Sequence, residues 1–192
     1  MIIITQEMYD AAETEVSRRG SDLNPHFHLD YLEEKMRLII GFLGEFACQQ
    51  YLGLDWRANI RPDYSVADDY DFIYRGSFIE VKTETIPSKS TLDKVVARTI
   101  NDDRPYGRRL IYEKQFENNI PKCDSIVFGC FLRPDTKDWS PIGEYWYHIG
   151  HISCKYILEN YQPVLKKPYG DKDYPKRCAN IRTSELNPLI QE

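Results

Sequence analysis

The chain switches several times between stretches where apolar residues keep a helical period and stretches where they alternate or run continuously. That switching predicts most of its elements. Met8, Ala11, Ala12 and Val16 sit near helical spacing between Ile3 and Arg19, and Gly20-Ser-Asp-Leu-Asn-Pro25 breaks the segment. The strongest helical pattern runs from Asp30 to Gly53, with Leu32, Met36, Ile39, Ile40, Leu43, Phe46, Ala47 and Tyr51 in phase. Asp30 suits the N-cap, Glu33 stands where a capping-box partner belongs, and Gly53 provides the stop. Residues 54 to 68 read as a loop containing the Arg61-Pro62-Asp63 turn.

From Asp69 to Lys82 the pattern becomes that of a β-hairpin. Two apolar and aromatic runs flank Arg75-Gly76, a two-residue loop with the glycine a tight hairpin turn favours. This loop pairs Tyr74 with Ser77, and counting outward places Asp71 opposite Glu80 and Asp69 opposite Lys82. Side chains alternate along a strand, so Asp71, Glu80 and Lys82 share one face, while Phe72, Ile79 and Val81 point to the other.

Beyond the hairpin, Pro87 and the Ser/Lys-rich segment end the second strand, and Leu92 to Thr99 has helical character. Ser125 to Leu132 is a nearly continuous apolar run, the pattern of a strand buried on both faces. Glu144 to Ile149 reads as a further strand closed by Gly150. Ser153 to Tyr161 reads as a helix capped by Ser153, with Tyr156, Ile157 and Leu158 facing inward. The tail from Pro163, rich in Pro, Lys and Tyr, is expected to hold a loop and one short element near Ile181 to Leu189. The expected fold class is α/β, of the α+β kind: a central mixed sheet flanked by helices in a single domain over residues 1–192.

Composition narrows the function classes. A length of 192 residues allows a sizeable core. The net charge of −5 gives no overall basic field, so contacts to an anionic polymer would have to come from local clusters. No apolar run approaches the roughly 20 residues of a membrane span, and Met-Ile-Ile-Ile is too short for a signal peptide, so no membrane partner and a cytoplasmic address are expected. Cys48, Cys123, Cys130, Cys154 and Cys178 are odd in number and form no Cys-x-x-Cys pair. They read as free buried thiols.

The chemistry centres on the hairpin. Two carboxylates facing each other across a strand pair repel unless a cation lies between them. A hard divalent ion such as Mg²⁺ takes one or two carboxylates and leaves its other positions to water and phosphate. Asp71 and Glu80 supply the acids, the Val81 carbonyl adds a backbone oxygen, and Lys82 can hold or deprotonate a water or stabilise a phosphorane-like charge. Glu45 lies on the helical stripe Leu38, Gly41, Glu45, Cys48, Leu52, beside Gly44. The two glycines imply a close helix crossing there, and Glu45 can add a further acid.

Three other groups carry candidate chemistry. Arg104, Arg108, Arg109 and Lys114, interleaved with Tyr106 and Tyr112, form the densest basic cluster and suit phosphate contacts. His26 and His28 form a His-x-His pair without a nearby third ligand, and read as surface-loop residues. His148, His151 and Cys154 fall where a strand becomes a helix and offer an alternative Cys/His or metal hydrolase site.

Gly41-Phe-Leu-Gly44-Glu45 on a helix, Asp71 on a strand and Glu80-Val81-Lys82 on the next strand resemble the PD-(D/E)xK nuclease superfamily. The resemblance spans about residues 31 to 158, and Tyr70 stands where the family's nickname has Pro. It implies a restriction-endonuclease-like core and cleavage of phosphodiester bonds with Mg²⁺, or Mn²⁺ in its place. Asp71 and Glu80 match the metal-binding acids, Lys82 the catalytic lysine and Glu45 the helix acid, while Gln115 stands for a glutamine some members carry after the lysine strand. The implied partner is nucleic acid, DNA in preference to RNA, and cutting both strands of a duplex implies a homodimer. Because the superfamily includes members that bind without cutting, a silent nucleic-acid-binding or assembly protein on the same fold is the alternative.

Overall fold

The computed structural model describes residues 1–19, 34–60, 69–134 and 138–188. The expected features at Gly20 to Pro25, His26, His28, Asp30, Glu33 and Arg61 to Asp63 lie outside them. A five-stranded mixed sheet flanked by helices is built from β1 (Ile2–Ile3), β2 (Phe72–Tyr74), β3 (Ser77–Ile86), β5 (Ser125–Leu132) and β6 (Tyr145–Ser153), in the order β1-β6-β5-β3-β2. Among the described residues only the β3–β5 pair of this sheet is parallel. The connection between those two strands contains α3 (Lys89–Val96), β4 (Arg108–Tyr112) and α4 (Glu113–Asn118).

The hairpin has the expected register, with Tyr74 opposite Ser77 and Phe72 opposite Ile79. Arg75 and Gly76 have φ of 50° and 82°, the two positive values a type I′ turn demands. Phe72, Ile79 and Val81 point into a core beneath α1 (Gln6–Arg19) and α2 (Glu34–Tyr51), where they meet Ile39, Leu43, Phe46, Val127 and Trp146. The other face of the sheet buries Ile86, Ile126, Phe128, Cys130 and Ile152 against α3, α5 (Cys154–Asn160) and the apolar side chains Ile111, Ala179 and Ile181.

Gly44 sets the approach of α2 to the sheet. A Cβ on it would lie 1.8 Å from Thr83 Oγ1 on β3, whereas one on Gly41 would meet nothing within 4 Å. The close crossing is therefore made by Gly44 alone, not by both glycines. Thr83 Oγ1 accepts a hydrogen bond of 3.2 Å from Trp146 Nε1 on β6, so the crossing is tied across the sheet.

Several expected elements differ. Ile3 belongs to β1, paired with β6, and α1 starts at Gln6. β6 continues through Gly150 to Ser153, because Gly150 fits under Leu186, where a Cβ would lie 2.6 Å from that side chain. Ser153 makes no side-chain cap to α5, and Tyr156 is exposed while Ile157 is buried. The tail forms β7 (Val164–Lys166) and the ten-residue β8 (Asp173–Arg182), which with β4 make an antiparallel sheet in the order β4-β8-β7. Among the described residues no helix is long and apolar enough to cross a membrane.

Candidate metal and phosphoryl site

β2 is an edge strand that stops early, and the site forms where it stops. The β2–β3 ladder ends at Phe72 opposite Ile79, and the Asp71 N–H still donates to the Ile79 carbonyl at 2.9 Å. The next amide on β3 facing this edge is that of Val81, and it donates to Asp71 Oδ2 at 2.6 Å. The carboxylate thus takes the place of a backbone acceptor. A strand residue presents its N–H and C=O to the same neighbour, so the Val81 carbonyl faces the Asp71 edge as well.

Glu80 and Lys82 leave β3 on the face opposite Val81, level with Ile126 and Phe128 of β5. Glu80 is buried, with 4% of its surface exposed. The Lys82 ammonium donates to Glu80 Oε1. Burial by itself would lower the Lys82 pKa, but Glu80, Asp71 and Glu45 together hold it above its ordinary value. The surrounding acids therefore favour the ammonium form of Lys82, the form that stabilises negative charge.

Asp71 carries the opposite strain. Desolvation first, then the charges of Glu45 and Glu80, raise its carboxyl well above the usual aspartate range, against the opposing effects of Lys82 and the Val81 N–H. Glu45, placed by the Gly44 crossing, thus reaches both Asp71 and Lys82 electrostatically. Cys48, one helical turn on, is buried beside these acids, and burial, Asp71 and Glu45 push its thiol up. Three acids around one ammonium leave an excess of negative charge.

That donor set fits a hard divalent cation. Asp71 and Glu80 provide carboxylates and Val81 a carbonyl on the same edge, and Mg²⁺ requires no third protein acid. Among the described residues no group of three or more His, Cys, Asp or Glu side chains is arranged to hold a metal. Water or phosphate oxygens would therefore complete the coordination.

Asp69 does not face Lys82; it pairs with Lys122 at 2.6 Å, tying the entry of the hairpin to the loop before β5. Two further contacts fix that region: Tyr70 stacks on Phe78, and the Phe78 N–H donates to Asp124 Oδ2 at 2.8 Å. Neither Asp124 nor Lys122 belongs to a sequence pattern that would single it out.

The expected basic cluster is dispersed. Arg109 is buried, ion-paired with Glu84 of β3 and donating to the Tyr106 carbonyl. Desolvation lowers its pKa to about 10. The alternation of β4 turns Arg109 inward, and Arg108 is engaged by Asp103 at 2.6 Å and by the Asp102 carbonyl at 3.1 Å. Of these four only Arg104 and Lys114 are exposed, and Gln115 lies on α4, which packs on β4 and β8.

The histidine alternative separates too. A bulge at Ile149 places His148 opposite Gly129 and His151 opposite Val127, so both histidines point to the α2 side, where His148 stacks on Tyr51. Cys154 packs in the core on the other face. Burial, then His151, Arg98 and the N-terminus, lower His148 to about 3, which makes it a neutral core residue. All five cysteines are free and buried, as expected.

Comparison with protein-family models, with curated proteins and with solved structures finds no match to this chain.

Proposed function

We propose that this chain is a divalent-metal-dependent nuclease that hydrolyses phosphodiester bonds, with DNA as the favoured substrate. The observation that carries the reading is the Asp71 carboxylate bonded to the amide between Glu80 and Lys82. It draws an acid from the bend just before β2 against the Glu-x-Lys of β3, where the PD-(D/E)xK resemblance implies an acid on the strand itself.

In this reading Asp71, Glu80 and the Val81 carbonyl hold Mg²⁺ or Mn²⁺. When bound, such an ion polarises a phosphoryl oxygen and makes water a better nucleophile. The Lys82 ammonium lies against Glu80 and is placed to orient a water or to stabilise the charge gathering on the phosphorus-bound oxygens. Glu45 adds negative charge at the rim and raises the demand for the cation. Cutting both strands of a duplex would use two copies of the chain.

The Lys82–Glu80 ion pair also suits a protein that binds nucleic acid without cutting it, because the pair neutralises a buried acid. The two readings part on activity. Plasmid, linear duplex, single-stranded DNA and RNA are incubated with the protein in Mg²⁺, Mn²⁺ or EDTA. Metal-dependent cleavage of DNA is expected; binding with no cleavage in any metal would favour the silent reading.

A further inference from the structure

The second sheet carries a feature the hairpin site does not use. A cavity of about 350 Å³ lies between β7, the end of α5 and the β4–β8 pair, with Arg108, Tyr161, Lys166, Lys167 and Asn180 in its wall. Its size falls within the range of about 300–1,000 Å³ found for small-molecule sites.

The wall is cationic in a chain that is acidic overall. From Tyr161 to Arg182 six lysines and arginines stand against two aspartates, and Tyr161, Tyr169 and Tyr174 are interleaved with them. Among the described residues neither Lys166 nor Lys167 has an ion-pair partner, and the Lys167 ammonium lies 5.4 Å from the centre of the Tyr174 ring. Tyr161 is held in place: its hydroxyl donates to Glu185 and accepts from the Arg182 N–H at 3.2 Å. Asn180 is buried, its amide donates to the Cys178 carbonyl at 3.0 Å, and its Oδ1 has no hydrogen-bond partner. A ligand N–H or O–H would satisfy such an acceptor. Cations for phosphate, a fixed ring and an amide acceptor are together the requirements of a nucleotide.

Helix α5 connects this cavity with the hairpin. The Cys154 N–H at its start donates to the Asp124 carbonyl at 2.9 Å, and Asp124 Oδ2 accepts from the Phe78 N–H of β3, while Asn160 and Tyr161 at its end line the cavity. Seven residues of helix span about 10 Å.

We propose that the cavity holds one nucleotide of a single-stranded stretch of nucleic acid, with Lys166 and Lys167 on its phosphate and Tyr161 against its base. A base within a duplex is stacked and paired, and cannot enter a concavity of this kind without being extruded. The proposal rests on the nuclease reading only for its choice of nucleic acid as the polymer.

The test is fluorescence anisotropy in EDTA, where cutting is not measured. Labelled single-stranded and duplex oligonucleotides are titrated with the full chain and with a Lys166→Ala/Lys167→Ala variant, whose melting temperature is checked. Single strands are expected to bind more tightly than duplex and to lose about tenfold in affinity in the variant. The slope of log affinity against log salt should become shallower by about 0.7, for the one phosphate the two lysines neutralise. Displacement of the strand by a free mononucleotide would support the same site. Equal affinity and slope in the two proteins, binding of duplex alone, or no binding of single strands would overturn it. If the variant loses binding while the wild type cuts nothing, the inference stands and the nuclease reading falls. Cutting by the wild type with unchanged binding by the variant gives the reverse.

Discussion

The carboxylate of Asp71 accepts a 2.6 Å hydrogen bond from the amide of Val81, the residue between Glu80 and Lys82. This contact ends the β2–β3 ladder and turns the edge of a sheet into a cluster of acids.

The raised Asp71 carboxyl gives a pH prediction. Its folded pKa lies above the unfolded value of 3.8, so the folded state holds the proton longer. Between the two values stability falls as pH rises, because the unfolded state binds fewer protons than the folded one. Without divalent metal, Asp71→Asn keeps the acceptor for Val81 and removes the charge. It should raise the melting temperature at pH 7 by about 2–4 °C, for roughly 1 kcal/mol, and Mg²⁺ should stabilise the wild type but not the variant. Thermal melts with and without Mg²⁺ check both.

Gly44 and Gly41 should separate cleanly. Gly44→Ala drives a methyl into Thr83 and should cost about 1–3 kcal/mol. Gly41→Ala should be neutral or stabilise by up to about 1 kcal/mol. Pairing Gly44→Ala with Thr83→Ala should recover part of the loss, seen as a coupling energy in urea denaturation.

Arg109 tests the basic cluster. Arg109→Met leaves the half-buried Glu84 without its partner and should destabilise by about 1–3 kcal/mol. Nucleic-acid affinity per folded molecule should not change. A weakened complex with normal stability would restore Arg109 to the binding surface.

His148 should stay neutral through mildly acid pH. With a folded pKa of about 3 against an ordinary 6.5, the unfolded state binds more protons between those values. The histidine's contribution to stability is thus full above about pH 6.5 and is lost as pH falls. Its ring proton resonances in NMR should show no titration between pH 5 and 8.

The hairpin was legible because its two-residue period, its turn glycine and its charges all agree, and counting from the turn gave the pairs Tyr74–Ser77 and Phe72–Ile79. Asp71, expected opposite Glu80, instead bends off the ladder with its N–H on the Ile79 carbonyl and its carboxylate on the Val81 N–H. The helix carrying Glu45 was equally plain from its apolar period. The second sheet was hidden for a physical reason. In β4 the strand reads Arg-Arg-Leu-Ile-Tyr, with an arginine turned inward onto Glu84. In β8 the first half holds Pro175, Lys176 and Arg177, and only Cys178 to Ile181 is continuously buried. In neither strand do apolar and polar residue types alternate, although burial does alternate along β4, so the basic residues looked like one surface. The bulge at Ile149, which puts both histidines on the α2 side, leaves no mark in composition or spacing.

The central claim is that Asp71, Glu80 and Lys82 act together on a phosphodiester. Cleavage of a labelled DNA under single-turnover conditions with Mg²⁺, comparing the wild type with Glu80→Ala and Lys82→Ala, tests it most directly. Cleavage that EDTA abolishes and that each substitution reduces by at least about a hundredfold is expected, with folding intact. Cleavage that survives both EDTA and the two substitutions would contradict it.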